Sequence, residues 1–104
     1  MPTEERINQL HAVRNAVIDY YGYTLNEILS KGRTKEVAQA RQIATWACLN
    51  HPMRFPVDSV MAAFNRTRSG YHYIFKKVND DAQVNAAFKA ELETVSQIAI
   101  NATK

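Results

Sequence analysis

The side chains able to do chemistry in this chain are cations, and they crowd into one stretch. Between Lys31 and Lys77 stand Lys31, Arg33, Lys35, Arg41, Arg54, Arg66, Arg68, Lys76 and Lys77, opposed only by Glu36 and Asp58, a net charge of +7. The remainder holds four bases and eight acids, a net of −4, so the overall +3 conceals a strongly asymmetric molecule. A clustered positive field attracts polyanions whatever fold carries it. A charged run is also how an ordinary solvated face reads, so geometry has to decide between the two.

Other chemistries find little footing. His11, His51 and His72 lack the spacing of metal ligands. Cys48, among Ala44, Ala47 and Leu49, reads as a small core residue, and a lone cysteine cannot build a disulfide framework. Glu4, Glu5, Asp80 and Asp81 read as charges at helix starts, where the macrodipole favours them. The expectation is therefore no enzyme, no metal, no cofactor and no small-molecule substrate. Residues 1–104 are expected to form a single domain, since hydrophobic residues are 46% and charged ones 22%, the balance of an ordinary globule. No stretch is apolar enough to span a membrane, and the acidic start is unlike a leader peptide, which points to the cytoplasm.

Hydrophobic spacing dictates the elements that must position the cations. Ile7, Leu10, Val13 and Val17 recur at helical steps behind Thr3 as cap, with Gly22 as a stop. Thr24 and Glu27 form a capping box for a short helix carrying Leu25, Ile28 and Leu29, closed by Gly32. Thr34 caps a third helix from about Lys35 to Leu49, with Val37, Ala40, Ala44, Ala47 and Cys48 inward. Pro56 suits the first turn of a fourth helix that buries Val57, Val60, Met61 and Phe64 and ends at Asn65. A fifth is expected from about Arg68 to Val78 behind Thr67, and a sixth from about Ala82, burying Val84, Phe88, Leu92, Val95 and Ile98. Nothing alternates with period two. The chain reads as an all-α bundle of about six helices.

The fourth and fifth helices, over residues 56–78, have the dimensions of a helix-turn-helix, whose second helix lies in a major groove. Tyr71, Ile74, Phe75 and Val78 should face the core, leaving Ser69, His72, Tyr73 and Lys76 outward. Arg66 and Arg68 open that helix, where the side chains and the positive helix terminus would meet the same phosphate or base edge. Gly70 costs about 1 kcal/mol in a helix interior; close backbone approach to a nucleic acid and a dispensable exposed position explain it equally well.

The run from Leu29 to Ala44, a basic Ser30-Lys31-Gly32-Arg33 loop followed by Arg41-Gln42-Ile43-Ala44, resembles the C-terminal DNA-binding domain of DnaA, the bacterial chromosomal replication initiator. The likeness continues at Asn50-His51, Ala63-Phe64 and Phe75-Lys76-Lys77-Val78. It implies a Trp-repressor-like helical fold and double-stranded DNA as partner. By that resemblance Arg33 enters the minor groove, Arg41 and Gln42 hold phosphates, and Arg66 opens the recognition helix. Lys31, Lys35, Lys76 and Lys77 are further phosphate candidates, and Arg66, Thr67, Arg68, Ser69, His72 and Tyr73 are candidates for base readout. The family's base-reading Asp-His-Thr-Thr falls here on Thr67, Arg68, Ser69 and Gly70, none of them identical. Arg68 could read a guanine or simply hold phosphate.

No GxxxxGK[ST] occurs, so ATP-driven origin opening is not expected of these residues. A DNA-binding part by itself implies a nucleoid-associated regulator of replication or transcription, a competitor for initiator sites, or a phage or mobile-element protein; an excised fragment of a longer protein is the other reading, with Met1 favouring a complete product. The alternative is a protein-interaction module that regulates the replication machinery without reading DNA, using Tyr20, Tyr21, Tyr23 or Trp46. Its oligomeric state and its replication-protein partners are open.

Overall fold

Local capping chemistry divides the chain. The computed structural model describes residues 3–30 and 34–104. Thr3 accepts a bond from the Arg6 N–H at 3.2 Å and opens α1 (Glu4–Tyr21); Gly22, at φ +79°, ends it in the left-handed region that glycine enters without strain. The capping box opens α2 (Leu25–Leu29): Glu27 Oε1 accepts from the Thr24 N–H at 2.8 Å and Thr24 Oγ1 from the Glu27 N–H at 3.2 Å. Thr34 caps α3 (Lys35–Leu49) through the Val37 N–H. Pro56 stands immediately before α4 (Val57–Ala63), and Asn65 takes a left-handed φ of 58° just beyond it. A 3-10 turn (Arg68–Gly70) leads into α5 (Tyr71–Val84), and Asn85 caps α6 (Ala86–Asn101). Gly32 lies outside the described residues.

The core is where α1, α3 and α6 meet. Leu10, Val13 and Val17 from α1, Ile43, Ala44 and Cys48 from α3, and Leu92, Val95 and Ala99 from α6 are buried together. Against this layer α4 packs on α1 and α3, while α5 packs on α3 and α6. The radius of gyration, 12.7 Å, matches the roughly 13 Å of a close-packed chain of this length. The fold is all-α, as its spacing predicts.

The last two helices depart from expectation. Helix α5 runs on to Val84 and α6 starts at Ala86, so Val84 ends a helix instead of beginning one. It is 86% exposed, not buried. The cause is local: no glycine or proline interrupts Val78–Val84, and Lys76–Asp80 (2.7 Å) and Lys77–Asp81 (3.3 Å) are i,i+4 ion pairs that carry the helix past Val78. Asp80 and Asp81 are therefore mid-helix partners, not helix-start charges. The first true punctuation is Asn85, whose Oδ1 accepts from the Phe88 N–H at 3.0 Å. Phe88 and Ile98 are half-buried, and Leu92 and Val95 fill the core as expected.

Candidate nucleic-acid interface

The turn between α4 and α5 is fixed from inside. Phe64 is fully buried, and the Met61 carbonyl accepts from the N–H groups of both Phe64 (3.1 Å) and Arg66 (2.9 Å). From α1 the buried Arg14 donates Nη1 to the Ala63 carbonyl at 2.8 Å, closing a carbonyl that the helix end leaves open. Burial pushes the Arg14 guanidinium below its ordinary range. The Arg14 contact spans 49 residues, and no local pattern foretells it.

The opening of α5 differs from its expected form. Arg68–Gly70 is a 3-10 turn, and the Thr67 hydroxyl lies 3.0 Å from the Ser69 hydroxyl instead of capping the helix. From this turn onward the two stripes separate as their spacing requires. Tyr71, Ile74 and Phe75 are half-buried and Val78 is buried, while Ser69, His72, Tyr73 and Lys76 are exposed. The Tyr71 and His72 rings lie 3.9 Å apart, and the Arg68 guanidinium sits 5.9 Å from the Tyr71 ring centre.

A helix-turn-helix whose second helix presents a polar, aromatic and basic outer stripe is thus in place, and it coincides with a known family. A family model for the bacterial dnaA protein helix-turn-helix matches residues 10–78. The chain belongs to this family. The chromosomal replication initiator protein DnaA of Pseudothermotoga lettingae is 30% identical to it over 84 residues, covering 80% of the chain and 19% of the relative. The chain therefore spans about a fifth of that relative's length. No solved structure matches it.

Set on this DnaA-type frame, the candidate cations fall into distinct groups. Lys31 and Arg33 lie outside the described residues. Lys35, Gln42 and Lys77 line one groove between α3 and α5, where Lys77 is paired with Asp81 one turn further along α5. Lys76 is exposed on the outer stripe, held by Asp80. Arg66 is half-buried and makes no ion pair among the described residues; its charge, after burial, lowers the Arg41 guanidinium from its ordinary range. Arg68 is exposed, and its Nη1 donates to Asp58 at 3.0 Å. Asp58 was not a candidate by sequence, although it is one of only two acids in the basic stretch.

Arg41 needs correction. It is 7% exposed, and its guanidinium donates Nε to the Ile28 carbonyl at 2.6 Å and Nη2 to the Ser30 carbonyl at 2.8 Å. Two of its donors are spent inside the molecule, so Arg41 is a brace between α3 and the end of α2, not an open phosphate contact. Its neighbour Gln42 remains half-exposed in the α3–α5 groove.

Residues outside this face behave as structural parts. Cys48 is fully buried, and burial pushes its thiol up to about 12, far from a reactive thiolate. Trp46 is 7% exposed and donates Nε1 to Asn79 at 3.1 Å, and Tyr21 donates to Glu91, so of the aromatics considered for a partner surface only Tyr20 is broadly exposed. Among the described residues no group of three His, Cys, Asp or Glu side chains converges, and no helix is long and apolar enough to cross a membrane.

Proposed function

We propose that residues 1–104 act as one DNA-binding unit that docks α5 in the major groove of a duplex, with Lys35, Gln42 and Lys77 on the flanking backbone. The observation that carries this reading is the exposed stripe of α5, with Arg66 and Arg68 at its opening, inside a family match that covers α4, the turn and α5 as far as Val78. Arg66 adds to it: a half-buried cation beside Arg41, unpaired among the described residues, sits where an anion would relieve like-charge repulsion. On this reading Arg66, Arg68, Ser69, His72 and Tyr73 would meet base edges, and Thr67 the adjoining backbone or base. In the cell such a unit would sit on the nucleoid as a regulator of replication or transcription.

Fluorescence anisotropy of a labelled duplex, titrated between 50 and 200 mM salt, tests it. About six neutralised phosphates predict log K falling with log salt at a slope near −5. Failure to retain any duplex at the lowest salt would refute the reading.

A further inference from the structure

An acid, Asp58, stands against the cationic opening of α5. Asp58 lies in the first turn of α4, is exposed, and pairs with Arg68 on the far side of the turn. A carboxylate there repels phosphate, so it works against plain electrostatic binding. It is not a helix cap, since α4 has no side-chain cap bond. Its one polar partner among the described residues is Arg68.

The geometry of that contact leaves Arg68 half-engaged. Asp58 Oδ1 takes Nη1 at 3.0 Å, and the Tyr71 ring lies 5.9 Å from the guanidinium carbon. The Nε–Nη2 edge then remains as a fork of two parallel donors, the shape that matches the O6 and N7 acceptors of guanine. An exposed arginine otherwise loses much rotamer freedom on docking, and a carboxylate and an aromatic face that hold it beforehand remove part of that loss.

We propose that Asp58 is a specificity-determining positioning residue, holding the Arg68 guanidinium on Tyr71 with its Nε–Nη2 edge left to read guanine. This rests on the DNA-binding reading above. The arrangement exchanges total affinity for discrimination: a bare Arg68 would clasp any phosphate within reach.

Selection from a random duplex library at physiological salt, with wild type, Asp58→Asn and Arg68→Ala, tests it. Melting curves run alongside, and both side chains are exposed, so the variants should fold. Wild type should return a motif with one guanine that Arg68→Ala no longer requires, a loss of roughly 5- to 150-fold in discrimination at that base. Asp58→Asn should bind unrelated duplexes more tightly, while its preference for that guanine falls roughly 2- to 10-fold. If Asp58→Asn shifts all sequences alike and leaves the guanine preference intact, the positioning role is wrong. If wild type binds every duplex equally but with steep salt dependence, the proposal falls and DNA binding stands. If no duplex is retained at low salt, both fall together.

Discussion

Replacing Arg41 separates an internal brace from a phosphate contact. In Arg41→Met the aliphatic stem is kept and the guanidinium is lost, so packing along α3 is largely preserved. Gone are the bonds to the Ile28 carbonyl (2.6 Å) and the Ser30 carbonyl (2.8 Å), both accepted from a charged donor. Each such bond contributes about 1.5–3 kcal/mol. Against the pair stands the cost of holding a charged group at 7% exposure, which its removal recovers in part. The balance is a destabilisation of about 2–4 kcal/mol, because the orphaned Ile28 carbonyl belongs to a fully buried residue and gains no water. For a domain of this length that is roughly 10–25 °C in melting temperature. Arg41→Lys, which offers one compact ammonium to two carbonyls, should fall between. Urea unfolding followed by far-ultraviolet dichroism and by fluorescence of the buried Trp46 reads the effect without any DNA. A phosphate contact behaves differently: stability stays within about 0.5 kcal/mol of the parent and the salt slope of duplex binding drops by about 0.9. An unchanged unfolding midpoint in Arg41→Met would refute the brace.

Three further expectations follow from single residues. Asn85→Ala removes the cap of α6 and should cost about 1 kcal/mol by urea unfolding; were Asn85 interior to a helix, as its spacing first indicates, the change would be neutral or stabilising. Gly70 has an ordinary backbone φ of −85°, and a Cβ there would meet only Met61 Cε at 3.7 Å, so Gly70→Ala should fold at least as stably as the parent, gaining up to about 1 kcal/mol. A lowered melting point would contradict this, and a loss of duplex affinity with the fold intact would show that the backbone approaches DNA there. Buried His51 receives the Met53 N–H on Nδ1 and donates Nε2 to the Ala99 carbonyl, and burial lowers its pKa below the ordinary 6.5. The unfolded chain thus protonates first as pH falls, so stability is complete above about 6.5 and declines beneath it. His11, also lowered by burial and then by Arg14, acts in the same sense. Unfolding midpoints at pH 7.5 and 5.5 should converge in His51→Gln relative to wild type in a His11→Gln background; equal pH dependence would rule His51 out.

What the sequence makes legible here is what is settled within four residues. Thr3, Gly22, Thr24 with Glu27, Thr34 and Asn65 punctuate helices by bonds or dihedrals they make locally, and each stands where its type requires. The same local chemistry, read too sparingly, misplaces the end of α5: Lys76–Asp80 and Lys77–Asp81 are visible as i,i+4 pairs, but only if the helix is not already stopped at Val78. Charge is a different matter, because a residue letter gives its sign and not its direction. Arg41 turns inward to carbonyls 11 and 13 residues away, and Asp58 finds Arg68 only because the turn folds back on itself. These contacts alter what the +7 of the basic stretch means. Arg41 is withdrawn from the surface, while Lys76 and Lys77 already hold carboxylates that a phosphate would have to displace. Breaking those exposed pairs costs affinity, yet the salt slope counts phosphates neutralised and not cations freed from partners. On the proposed DNA-binding reading, a slope near −5 alongside modest affinity at physiological salt is therefore the expected result, with tighter binding only where base edges compensate for the displaced pairs.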